Sequence, residues 1–208
     1  RSRWKEQGRS VLEDQQDNGA KIFTRSLSGR GYSLSDAYDI SQTQGREMKS
    51  LKLQDDTVEM ETALSALLRF SPVQVTVDKE LPKPAQYDPR TMTLTINPDY
   101  SDSQAFGAIA TAIAHARYHD RGYNPAYSRE GCDLSAQSVS YILCRRFGVE
   151  REPPDLSKLP TLYQNWPTQD RQAELSSIQD MSKRIGSAIE KSIAPPQRAV
   201  PAVRRDAR

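Results

Sequence analysis

The chain has no run of apolar residues near the ~18 that a membrane-crossing helix needs, and its first twenty residues, RSRWKEQGRSVLEDQQDNGA, lack the apolar stretch of a signal peptide. The location expected from this is the cytoplasm. It has only two cysteines, Cys132 and Cys144, twelve residues apart in what reads as one helix. That spacing is about 18 Å at ~1.5 Å per residue, too far for a disulfide, whose Cα atoms lie within roughly 7 Å. Neither sign of charge dominates: 29 Lys and Arg face 27 Asp and Glu, a net of +2, so charge alone does not predict nucleic-acid binding.

What is present suits a globular protein. At 208 residues and 36% hydrophobic the chain can bury one real core with a smaller module beside it. It opens at Arg1, without methionine and within a polar, patterned segment, and is expected to be a piece of something longer. The end, PPQRAVPAVRRDAR from Pro195 to Arg208, has three prolines and four arginines against one aspartate, and reads as a disordered basic tail.

Two β-prone runs, Lys21 to Arg25 and Ala37 to Ser41, flank the Gly-rich turn SGRGYS. From Thr57 to Phe70, Val58, Met60, Ala63, Leu64, Leu67 and Leu68 recur at helical spacing. The period then becomes two: Val73, Val75 and Val77 form one strand, and Met92, Leu94 and Ile96 form another after the loop KPAQYDPR. These two strands are expected to form a hairpin or to be neighbours in one sheet. A helix starting near Ser101 to Ser103 carries Phe106, Ile109, Ala110, Ile113 and Ala114 inward. A tyrosine-rich loop, DRGYNPAYSREG, leads to another from about Asp133 to Phe147, with Val139, Ile142, Leu143 and Phe147 inward and Gly148 closing it. After Trp166-Pro167 a long amphipathic helix, about Gln169 to Ile193, sets Leu175, Ile178, Met181, Ile185 and Ile189 on one side.

The stretch AIATAIAHARYHD, Ala108 to Asp120, resembles the active helix of zincins, whose H-E-x-x-H motif supplies two zinc ligands and a glutamate that activates water. With His115 as the second histidine, Thr111 stands at the first and Ala112 at the glutamate. SAQSVSYILCRRFGVE, Ser135 to Glu150, resembles the helix that gives the third ligand in ArdC-like and LtrC-like proteins of plasmids and conjugative elements, with Gln137 at that glutamate. AYDISQTQGRE, Ala37 to Glu47, is similar to a phrase that precedes the peptidase domain of that family. WKEQGRSV, Trp4 to Val11, resembles the end of its single-stranded-DNA-binding module, and Trp166 matches a tryptophan common there.

The resemblance implies an α+β, zincin-like metallopeptidase fold with a small β-rich N-terminal segment and a long C-terminal helix. The divisions expected are 1–50 as a partial ssDNA-binding-type segment, 51–165 as a degenerate zincin-like domain, 166–194 as the helix and 195–208 as the tail. It also implies an antirestriction setting, with single-stranded DNA or a protein of the same mobile element as partner. A catalytic zinc takes three protein ligands and a water, and threonine and glutamine do not replace imidazole and carboxylate. Ala112 can neither accept nor deliver a proton. No zinc or other cofactor, and no catalysis, is therefore expected; the chain reads as a binding protein.

The alternative is a metal-dependent hydrolase with a rearranged site. His115 and His119 lie one helical turn apart, and Asp133, Asp120 or Glu130 could add oxygen. Cys132 could be activated at a helix N-terminus, although a structural thiol is the plainer reading. Tyr118, Tyr123 and Tyr127 could stack on bases, or pack their loop onto its own domain. For nucleic acid, the basic candidates in the first segment are Lys5, Arg9, Lys21, Arg25 and Arg30.

Overall fold

The computed structural model describes residues 2–25, 31–47, 51–120 and 127–194, and divides the chain into two compact units, Arg1–Lys49 and Ser50–Arg208. The basic tail, Arg30 and Tyr123 lie outside the described residues.

The first unit runs α1 (Ser2–Glu6), β1 (Arg9–Val11), β2 (Ala20–Arg25), β3 (Tyr32–Ala37) and β4 (Thr43–Gly45). β1 pairs antiparallel with β4, and β2 with β3 in a register from Ala20↔Ala37 to Arg25↔Tyr32. The second strand is not Ala37 to Ser41, as its composition suggested, because Asp39 acts as a cap. Its carboxylate accepts from Ser41 N at 2.9 Å, the Gln42 side chain accepts from Asp39 N at 2.8 Å, and residues Ile40–Gln42 form a 3-10 turn. Thr43 Oγ1 then donates to Ile40 O at 2.8 Å. The phrase Asp39 to Gly45 thus closes a turn against β1.

In the second unit, Thr57 caps α2 (Val58–Leu68) by accepting from Met60 N at 3.2 Å. Met60, Ala63 and Leu67 are buried, but Val58 is 73% exposed. At ~100° per residue it sits on the far side from Met60. The sheet has three strands, β5 (Gln74–Val77), β6 (Ala85–Asp88) and β7 (Thr93–Ile96), in the order β5-β7-β6. β5 and β7 are parallel neighbours, so they are not a hairpin, and the KPAQYDPR segment read as a loop contains the antiparallel edge strand β6.

Ser101 and Gln104 form a capping box at the start of α3 (Asp102–His119). α4 (Arg129–Phe147), capped by Ser128, begins a turn earlier than Asp133, which places Cys132 within the helix. α5 (Leu159–Tyr163) and α6 (Thr168–Ile193) follow. Phe106 of α3 meets Phe147 of α4 edge-to-face at 6.0 Å, both fully buried. Val139, Leu143 and Phe147 make a stripe at i, i+4, i+8, and Ile142, one residue off it, is exposed. Ile178, Met181, Ile185 and Ile189 of α6 join the same core, whereas Leu175 is exposed. Arg146 clamps α6 through a bidentate pair with Glu190 at 2.8 and 2.9 Å. The result is a mixed α+β protein with a long C-terminal helix. Among the described residues no helix is long and apolar enough to cross a membrane.

Candidate functional site

α3 and α4 face each other across the positions singled out in the sequence. His115, 1% exposed, lies 3.3 Å through Nε2 from Asp133 Oδ1, and its Nδ1 is 3.1 Å from the Tyr127 hydroxyl. A carboxylate only accepts, so Nε2 carries the proton and Nδ1 accepts from Tyr127. Gln137 donates to the other Asp133 oxygen at 2.5 Å. Burial, with the Arg129 charge second, pushes the His115 pKa below its usual value against the pull of Asp133. Burial also pushes Tyr127 up to about 12, so its hydroxyl stays a donor.

Thr111 donates to Gly107 O at 3.0 Å and accepts from Arg151 Nη2 at 2.9 Å. The chain reaches this point because Gly148, with φ 68°, closes α4 in the left-handed conformation. Val149 N bonds Cys144 O at 2.9 Å, Val149 is buried, and Arg151 turns back onto α3. Gly107 makes the approach feasible: a Cβ there would lie 2.4 Å from Arg151 Nη1. Thr111, Ala112 and His115 line a cleft of about 590 Å³ together with β6, Arg129 and Arg151.

His119 turns elsewhere. Its Nδ1 bonds the Tyr87 hydroxyl at 2.6 Å, and its ring stacks on Tyr127 with centroids 4.6 Å apart. Burial raises the Tyr87 pKa, with Asp120 and Asp88 adding to it. Tyr127 therefore packs the end of the loop onto α3, and Tyr118 is buried in α3. Burial likewise raises the pKa of Cys144, a thiol in the core.

Zinc, which the zincin resemblance implies, does not fit this donor set. The accepting nitrogen of His115 is filled by Tyr127, its other nitrogen carries a proton toward Asp133, and the Thr111 hydroxyl is held by Gly107 and Arg151. Among the described residues no three His, Cys, Asp or Glu side chains gather where they could hold a metal ion. The structure brings His115, Asp133 and Gln137 together and leaves His119 with Tyr87.

In the first unit Arg9 is committed to the fold. It donates to Thr43 Oγ1 at 2.8 Å, Thr43 O at 2.7 Å and Arg46 O at 2.7 Å. Lys21 pairs with Asp36 across the β2–β3 ribbon, and Lys5 is exposed. Sequence reasoning missed three apolar or aromatic residues on the face of the ribbon that carries Lys21. Phe23 is paired with Leu34, one face of the ribbon also presents Tyr32, and the three are 77%, 58% and 65% exposed.

No protein-family model matches this chain, and no curated protein matches it. Among solved structures it is similar to the crystal structure of the antirestriction protein ArdC from plasmid R388 with Mn(II) bound. The identity is 16%, covering 94% of this chain and 77% of that one, at a TM-score of 0.49. Against the metal-free crystal structure of ArdC from R388 the identity is 15%, covering 92% and 76%, at 0.46.

Proposed function

We propose that the chain is a degenerate zincin-like protein of the ArdC/LtrC type that acts by binding and not by hydrolysis. One observation carries this: both nitrogens of His115, the histidine retained from the motif, are satisfied internally by Asp133 and Tyr127. Ala112 supplies no base beside it. The cleft lies along the edge of β6 that no other strand among the described residues pairs with. Asn97 N bonds Pro84 O at 3.0 Å, so by antiparallel alternation Ala85 and Tyr87 turn their backbone groups away from β7. The Tyr87 carbonyl already accepts from Arg129 Nη1 at 3.1 Å, so an extended protein segment would add as a further strand at the Ala85 end of that edge. Protein purified without chelators is expected to hold well under one equivalent of zinc. Stoichiometric zinc that is lost in both His115→Ala and His119→Ala would make the rearranged hydrolase the correct reading.

The β2–β3 ribbon favours a second binding activity. Phe23 and Tyr32 offer π-faces to unpaired bases, with Leu34 and Lys21 beside them. The protein is expected to bind oligo-dT better than duplex, less so as salt rises. Replacing both Phe23→Ala and Tyr32→Ala should cost about 1–3 kcal/mol per stacked base. Unchanged affinity in a filter-binding assay of the folded double variant would remove the ribbon from this role.

A further inference from the structure

Resting on the groove reading above, we infer that the cleft selects an acidic segment, and that Arg151 on its Gly107–Thr111 seat is the subsite for a carboxylate side chain. The lining of the cleft is lopsided in charge: Lys83, Arg129 and Arg151 stand against Glu150 alone. Arg151 is positioned from two sides. Thr111 Oγ1 accepts from its Nη2 at 2.9 Å, and the missing side chain at Gly107 leaves room for Nη1 against α3.

The rest of the seat is fixed as well. The Gly107 carbonyl accepts from Ser140 Oγ at 2.7 Å as well as from Thr111, which ties α3 to α4 beneath the guanidinium. Arg129 has one donor on the Tyr87 carbonyl at 3.1 Å, which holds its charge beside the edge strand. A planar guanidinium takes a carboxylate through two parallel N–H bonds, which a lysine cannot reproduce. An extended chain added to β6 would offer every second side chain to one face of the cleft. An Asp or Glu at such a position meets cations from Lys83, Arg129 and Arg151, whereas a basic residue there is repelled.

Selection of a phage library of random twelve-residue peptides on the whole chain tests this. Binders are expected to be enriched in Asp or Glu at one position, and synthetic versions with Gln there should bind roughly tenfold more weakly, the loss of a charge-assisted bond. Arg151→Lys, which keeps the charge, and Arg151→Gln should both abolish the Glu-over-Gln preference, with circular dichroism checking that the variants fold. Binders without an acidic position would overturn the carboxylate subsite and leave the peptide groove standing. An absence of binders above background would remove both. Displacement of the acidic peptides by oligo-dT that itself needs Arg151 would assign the cleft to phosphate, against this inference.

Discussion

Substituting Thr111→His, Ala112→Glu and Gln137→Glu together is expected to give a chain that binds about one equivalent of zinc, where the parent is expected to hold well under one. Position 111 lies one helical turn before His115, and both line the same cleft with Ala112. Position 137 reaches His115 through the shared partner Asp133, so α4 already faces the place where a third ligand belongs. Burial lowers the His115 pKa, so a second proton on the ring competes little with the metal, which has still to displace the Tyr127 hydroxyl from Nδ1 or the proton that Nε2 carries toward Asp133.

Arg151 is the obstacle, because a histidine at 111 would occupy its seat and a guanidinium beside a dication is repelled. Adding Arg151→Ala should therefore tighten zinc further, which titration against a chromogenic chelator would read. Peptidase activity need not return, as the groups that orient ligands are not restored. If the folded quadruple variant binds no zinc, the placing of Thr111 or Gln137 on the zincin pattern is wrong.

α2, α3 and α4 were legible because each repeats an apolar stripe and carries a local signal at one end: the Thr57 and Ser101 caps and the Gly148 stop need only local chemistry. β6 was not, because Tyr87 is its one fully buried side chain and prolines at 82, 84 and 89 bracket it, so no alternation stands out. Its place comes from the neighbours β7 and α3. The site was half legible for a similar reason. The motif positions in α3 and α4 could be named, and Asp133 among the oxygen donors. What holds them depends on long-range partners that no spacing announces: Arg151 reaches Thr111 across 40 residues, and Tyr87 reaches His119 across 32. In the first segment, basic residues drew attention from charge alone, yet Arg9 spends its donors on backbone and Thr43.

Phe147→Ala is expected to destabilise the second unit by about 3–5 kcal/mol, a large share of the stability of a domain of this size. The ring is fully buried at the C-terminal end of α4, edge-to-face with Phe106 at 6.0 Å and 79°. Its backbone carbonyl also accepts from Leu53 N at 2.9 Å, which leads the chain toward α2. Truncation leaves a cavity that cannot close easily, because Arg146 beside it is held to Glu190 and Gly148 fixes the turn that follows. That turn carries Arg151, so the loss should reach the cleft. Denaturant unfolding should show a lower midpoint, and in the surviving folded fraction the Glu-over-Gln preference of bound peptides should shrink along with the seating of Arg151. A loss below about 1 kcal/mol would mean that α3 and α4 do not depend on this contact for their packing.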